Sequence, residues 1–248
     1  MLDVHNLSKA FGGLQVTRNV SFKLEQGERR VILGPNGAGK TTLFNLLVGE
    51  LKPTAGDILV GGTSISGMSV SQRSRMGLSR SYQKNNLFED LTVRENLTLA
   101  AAAAQGKIAW LVKDSFRDRG VKEAVEEAAE LVSLTDLLDT PVKAASYGNR
   151  RQLEVGIALA TRPKLLLMDE PTSGVGPSMI EGFHRLLKSL PEELTVLIIE
   201  HDMDLAFDVA DRITVLNFGE VVFEGTPDET RGNPVVRDIY LGDWQQDA

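Results

Sequence analysis

Arg29-Arg30-Val31-Ile32-Leu33-Gly34-Pro35-Asn36-Gly37-Ala38-Gly39-Lys40-Thr41-Thr42-Leu43 is the stretch on which the fold turns. Arg29 to Leu33 reads as a strand, and Lys40 to Leu51 as a helix with Leu43, Leu46, Leu47 and Leu51 at helical spacing. Between them, Gly34 to Thr41 matches G-x-x-x-x-G-K-[ST] in the strand–turn–helix setting that gives the pattern its meaning. Glycines let successive backbone N–H groups turn inward around phosphate oxygens, and the helix N-terminus adds partial positive charge. Gly34, Pro35, Asn36, Gly37, Ala38 and Gly39 are therefore expected to cradle phosphate. Lys40 can reach the β- and γ-phosphates, the Thr41 hydroxyl can ligate Mg²⁺, and Thr42 is a further phosphate contact.

Outward from this loop, short aliphatic runs alternate with longer helical patterns, the rhythm of an α/β sheet. Leu165 to Met168 and Thr195 to Ile199 are fully apolar and suit central strands buried on both faces. The first runs directly into Asp169-Glu170. Asp169 can hold Mg²⁺ through its water shell, and Glu170 is the candidate general base that polarises an attacking water. A single acid at a strand end would read as a solvated terminus; two acids in a chain with a phosphate loop read as chemistry.

The organisation follows from the same patterns. Residues before Arg29 are β-rich, with Val16, Val20, Phe22 and Leu24 among polar neighbours. Thr92-Val93-Arg94-Glu95 is a capping box that opens an alanine-rich helix through Ala104, and Val121 to Val132 is a second helix with an acidic face. Arg212 to Leu216 and Val221 to Phe223 read as a closing β pair, with helices begun at Thr226-Pro227 and Asn233-Pro234. One domain is expected: residues 1–85 and 163–248 as an α/β core with a β subdomain, and 86–162 as a helical lobe.

Composition narrows the functional classes. The 248 residues carry 27 Lys+Arg against 34 Asp+Glu, a net charge of −7, which disfavours a general nucleic-acid binder. With no cysteine there are no disulfides, zinc thiolates, iron–sulfur clusters or thiol nucleophiles. No apolar run is long enough to span a bilayer, and the start lacks the features of a secretory signal, so a cytoplasmic location is expected.

With these motifs in order, the chain resembles the ATP-binding cassette ATPases, the nucleotide-binding subunits of ABC transporters, over nearly its whole length. The resemblance implies a P-loop NTPase core of ABC ATPase type with ATP and Mg²⁺ as its ligands. It also assigns roles. Gln83 matches the Q-loop glutamine that contacts Mg²⁺ and the attacking water. Ala145-Ser146-Tyr147-Gly148-Asn149 matches the signature, whose Ser146 and Gly148 face the γ-phosphate bound by the opposing cassette. In isolation, Ser146 reads as an ordinary cap ahead of a helix from about Arg150 to Ala160. His201 matches the switch histidine that bonds the γ-phosphate, and Phe11 the aromatic that stacks on adenine, with core packing as the alternative for Phe11.

Two motifs depart from the family pattern. The signature has Ala145, Tyr147 and Asn149 where Leu, Gly and Gln are usual, and Ser173-Gly174-Val175-Gly176 stands where S-A-L-D is usual. Tyr-Gly signatures, Phe11-Gly12-Gly13-Leu14, Glu200-His201-Asp202-Met203 and the ending Val236 to Gly242 together resemble the branched-chain amino-acid-type importers. What the resemblance implies is ATP-driven dimerisation with a second cassette, identical or different. The pair would work with transmembrane permease subunits and, indirectly, a solute-binding protein, on the cytoplasmic face of the membrane. Lipopolysaccharide-export-type and soluble non-transport cassettes remain as alternatives.

Overall fold

Two long strands, β1 (Leu2–Phe11) and β2 (Leu14–Leu24), form an antiparallel hairpin turned at Gly12-Gly13 and paired from Phe11↔Leu14 to Leu2↔Leu24, with register shifts between Val4 and Leu7, Leu7 and Lys9, and Lys9 and Ala10. The structure is a computed structural model that describes residues 1–81, 87–106, 118–174 and 176–244. It divides into two units, Met1–Arg73 with Leu167–Glu170 and Glu192–Ala248, and Ser74–Leu166 with Pro171–Pro191.

In the first unit, β4 (Ala55–Val60) pairs antiparallel with the other edge of β1, and β5 (Thr63–Ser64) follows as a short edge strand. A second sheet holds β3 (Arg29–Leu33), β7 (Leu165–Asp169), β8 (Thr195–Ile199), β9 (Arg212–Asn217) and β10 (Glu220–Gly225) in the order β10-β9-β3-β8-β7. β3 is parallel to both β8 and β9, and β9–β10 is an antiparallel hairpin. All five residues of β7 and of β8 are buried, as the unbroken apolar runs require. The C-terminal ends of β3, β7 and β8 therefore deliver the phosphate loop, Asp169-Glu170 and Glu200-His201 in one unit.

Helix α1 (Lys40–Val48) buries Leu43, Leu46 and Leu47 and stops before the expected Leu51. Its end is set by Gly49, which adopts φ +90° and donates its N–H to Asn45 O at 3.1 Å. A Cβ at Gly49 would lie 2.7 Å from Nε of Arg73. Arg73, on α2 (Val70–Arg75) and 1% exposed, places its guanidinium over the last turn of α1 and donates to the Leu46 and Leu47 carbonyls at 2.7 Å each. A buried cation at the negative end of the helix macrodipole thus replaces the missing turn.

The second unit contains β6 (Leu78–Arg80), whose neighbour Gly77 accepts from the N–H groups of Lys164 and Leu165 at 2.8 and 3.0 Å. Its helices are α3 (Val93–Ala104), α4 (Arg119–Leu131), α5 (Tyr147–Ala160) and α6 (Pro177–Ser189). The capping box forms as read: Thr92 Oγ1 accepts from Glu95 N, and Glu95 returns the bond to Thr92 N. Ala101, Ala102, Ala124, Ala128 and Ala129 are buried where α3, α4 and α5 meet. Small side chains let these helices approach closely, and a Cβ on Gly156 would already stand 3.1 Å from Val132 and 3.3 Å from Leu97. Among the described residues, no helix is long and apolar enough to cross a membrane.

Candidate functional site

The phosphate loop is held from its outer side. Gly34 passes so close to Leu216 that an added Cβ would fall 2.2 Å from that carbonyl oxygen, and Gly39, at φ +98°, lies under the Val16 carbonyl. Gly219, in the β9–β10 turn, donates to Ala38 O at 2.9 Å and accepts from Arg18 N at 2.7 Å. Ala38, Gly39 and Lys40 are buried, while Asn36, Gly37 and Thr41 are exposed and Thr42 is half-buried. The Ala38 carbonyl is thus bonded to the β9–β10 turn, while Asn36, Gly37 and Thr41 face solvent.

Lys40, 6% exposed, folds over this loop and donates from Nζ to the carbonyls of Gly34 (2.5 Å) and Pro35 (3.1 Å). Burial holds its ammonium below the usual lysine range, against the opposing pull of Glu170, Asp169 and Glu200. Three carboxylates therefore share one electrostatic neighbourhood with the lysine.

Asp169 ends β7 with 8% exposure. Glu170 follows at φ +45°, a left-handed backbone for a residue with a Cβ, and its N–H donates to Ile199 O at 2.8 Å. Such a conformation costs on the order of 1 kcal/mol and persists where surrounding bonds enforce it. Here it swings the side chain, 29% exposed, out of the strand direction so that Oε1 lies 3.9 Å from Nδ1 of His201. The same Nδ1 is 3.6 Å from Oε2 of Glu200.

Glu200, beside His201, is a position that the sequence reading gave no role of its own. It is fully buried, and its carboxylate accepts from His201 N at 3.1 Å and Asp202 N at 3.5 Å, fixing the backbone that presents the imidazole. An acid directly after a five-residue apolar strand was the available signal.

Phe11 ends β1 with 48% exposure and carries the Lys9 ammonium 5.1 Å from its ring centroid. Its ring is thus a solvent-facing surface rather than a core filler. Gln83 lies outside the described residues.

The signature sits in the second unit as the first turn of α5. The helix begins at Tyr147, three residues earlier than the Arg150 start read from sequence, because Ser146 is its cap: Oγ accepts from Asn149 N at 3.2 Å. Ser146 is exposed and Gly148 buried. Gly176, in place of the usual acid, caps α6 with no side-chain bond and is followed by Pro177 at the first helical position.

This is the construction of a P-loop nucleotide-binding domain: backbone amides for phosphates, a lysine for charge, and carboxylates at the ends of neighbouring strands. A family model described as ABC transporter matches residues 17–173, and the chain belongs to that family. It is an ATP-hydrolysing cassette. The high-affinity branched-chain amino acid transport ATP-binding protein BraF of Pseudomonas aeruginosa is 38% identical over an alignment of 250 residues covering 98% of each chain. LivG of Salmonella typhimurium, described in the same words, is 39% identical over the same shares. A crystal structure of an ABC transporter cassette in its ADP conformation superposes with a TM-score of 0.85 at 28% identity, covering 98% of each chain.

Proposed function

We propose that this chain powers uptake of branched-chain amino acids or closely related small solutes, as one of two cassettes on the cytoplasmic face of permease subunits supplied by a solute-binding protein. The observation that carries this reading is identity of 38–39% over 98% of the chain to branched-chain amino acid transport ATP-binding proteins. Residues 1–85 and 163–248 act as nucleotide core and β subdomain, and 86–162 as the lobe that meets the permease.

In this reading ATP lies with its adenine on Phe11 and its phosphates along Gly34 to Thr42. Lys40 exchanges its two carbonyl partners for β- and γ-phosphate oxygens. Thr41 and Asp169 offer a hydroxyl and a carboxylate, hard oxygen donors that suit Mg²⁺ alongside phosphate, and Gln83 adds an amide oxygen. When bound, Mg²⁺ supplies charge neutralisation at the β- and γ-phosphates. Glu170 accepts the proton of the attacking water. His201 has Nδ1 turned to Glu170 and Glu200, so Nε2 is the ring nitrogen left to bond the γ-phosphate.

The opposing cassette completes each site. Ser146, exposed at the N-terminus of a 14-residue helix, offers a hydroxyl, backbone N–H groups and the helix dipole to a γ-phosphate on that cassette. ATP then bridges the pair, and its hydrolysis removes the bridge. The test is uptake of radiolabelled leucine into vesicles reconstituted with the permease subunits, this chain, its partner cassette and internal ATP, with the solute-binding protein added outside. Uptake that requires ATP and is lost with Lys40→Ala supports the reading. Vesicles that hydrolyse ATP but accumulate no branched-chain solute refute the substrate class.

A further inference from the structure

Tyr147 stands where the family pattern has glycine, and its surroundings explain how the bulk is accommodated. A Cβ added to Gly174 would lie 3.1 Å from the Tyr147 hydroxyl oxygen and 4.0 Å from Cζ. Gly174 also adopts φ +74°, so both its shape and its lack of a side chain are used. One turn along the same face of α5, Arg151 donates from Nη2 to Ser173 O at 3.4 Å. Arg151 is 7% exposed and is held by Glu154, Nη1 to Oε2 2.6 Å. Two side chains at i and i+4 of α5 thus meet two consecutive residues of the turn that leaves Glu170, Arg151 through a hydrogen bond and Tyr147, 56% exposed, by packing beside Gly174.

We propose that Tyr147 is a positioning residue that, matched to Gly174, ties the Ser146 end of α5 to the turn following Glu170. The proposal rests on the roles given above to Ser146 and Glu170. A γ-phosphate captured at Ser146 belongs to the opposing site, whereas Glu170 serves its own. A rigid link between α5 and the 171–174 turn makes closure at one site a condition for placing the base at the other. The departures at 147 and 174 are then one compensated change: the Tyr147 hydroxyl takes the place next to residue 174 that a side chain there would need. Gly176 fits the same division of labour, because the turn is held by Tyr147 and Arg151 rather than by a carboxylate at its end.

The test is a double-mutant cycle on the full chain, with ATP turnover and melting temperature measured for wild type, Gly174→Ala, Tyr147→Phe and the double variant. The backbone strain of alanine at 174 is common to both backgrounds and cancels, which isolates the contact with the hydroxyl. Expected is a loss of kcat of about tenfold for Gly174→Ala with Tyr147 present, and about threefold or less with Tyr147→Phe. Tyr147→Ala, which removes the ring, is expected to lower kcat about tenfold with KM for ATP within about twofold of wild type. Equal losses in the two backgrounds, or wild-type kcat for Tyr147→Ala, overturn the proposal. A wild type that hydrolyses no ATP overturns the reading of the site instead, and the cycle in melting temperature still reports whether the two residues are matched.

Discussion

Glu170 Oε1 and His201 Nδ1 stand 3.9 Å apart, too far for a direct hydrogen bond and near enough for a water or a small shift to join them. The spacing arises from two backbone devices, the left-handed conformation of Glu170 and the bonds from Glu200 to the His201 and Asp202 amides. Each reactive side chain is therefore aimed by its own main chain.

If Glu170 is the base, Glu170→Gln keeps shape and loses proton affinity. Turnover should fall by about 10²- to 10⁴-fold while ATP affinity is retained. Light scattering with Mg²⁺-ATP should show a dimer in the variant that the wild type dissolves by hydrolysis. Turnover at the wild-type rate would remove Glu170 from the role.

Glu200 supplies an independent check on the aiming of His201. Glu200→Gln can still accept from the two amides, whereas Glu200→Ala cannot and leaves two part-buried N–H groups with one partner fewer. Turnover should fall further in the alanine variant than in the glutamine variant, by about tenfold, with ATP affinity little changed. Equal effects of the two would mean that charge rather than backbone positioning is what Glu200 provides.

Lys40 links nucleotide binding to protons. Its folded-state pKa is held below 10.5 by burial, so between that depressed value and 10.5 the unfolded chain carries more protons than the native one. Stability without nucleotide should therefore rise with pH across that window and be flat below it. Phosphate oxygens at Nζ favour the ammonium, so ATP binding within that window should take up protons. Calorimetry in buffers of different ionisation enthalpy reads this directly, and Lys40→Ala should abolish both the uptake and most of the affinity.

How far the sequence revealed this arrangement depended on whether the cause was local. The capping box at Thr92 and Glu95, the buried runs of β7 and β8, and Pro227 at a helix start are each decided within a few residues, and they read correctly. α1 was read to Leu51 because the leucine spacing runs on past Gly49, the local stop that ends it; Arg73, which seals that end, arrives from 24 residues beyond Gly49 and has no local signature. α5 was begun too late because Tyr147 and Gly148 look unlike helix formers, whereas the Ser146 cap and the length of the helix override them. α6 went unread, since its cap, Gly176, lacks a side chain to announce it. In the site, the loop, Asp169-Glu170 and His201 were visible as motifs. Glu200 acts through the next two amides and had a local signal that went unused, whereas Gly219 and the match of Tyr147 to Gly174 depend on tertiary proximity and were not visible.

Ser146 carries two roles that a pair of substitutions separates. Ser146→Ala removes the cap to Asn149 N and should cost about 1 kcal/mol of stability. Ser146→Asp keeps a capping oxygen but sets a negative charge where a γ-phosphate of the opposing cassette would dock. Melting temperature should fall for alanine and hold for aspartate, while ATP-dependent dimerisation of the Glu170→Gln background should be lost with aspartate. Dimerisation that follows melting temperature in both variants would reduce Ser146 to a cap.

Gly219 tests whether the outer grip on the phosphate loop matters for binding. At φ +81°, with a prospective Cβ 2.2 Å from Val16 O, Gly219→Ala meets both backbone strain and a collision with main chain that cannot rotate away. Gly62, at φ +80° with open space around it, provides the matched control in which only the strain acts. Gly62→Ala should cost about 1 kcal/mol, and Gly219→Ala at least about 1–2 kcal/mol more, read from urea midpoints at unchanged m. Because Gly219 donates to Ala38 O, its displacement should also turn the loop amides and weaken ATP binding about tenfold, an effect absent at Gly62. Equal ATP affinity in the two variants would show that the loop holds its shape without the β9–β10 turn.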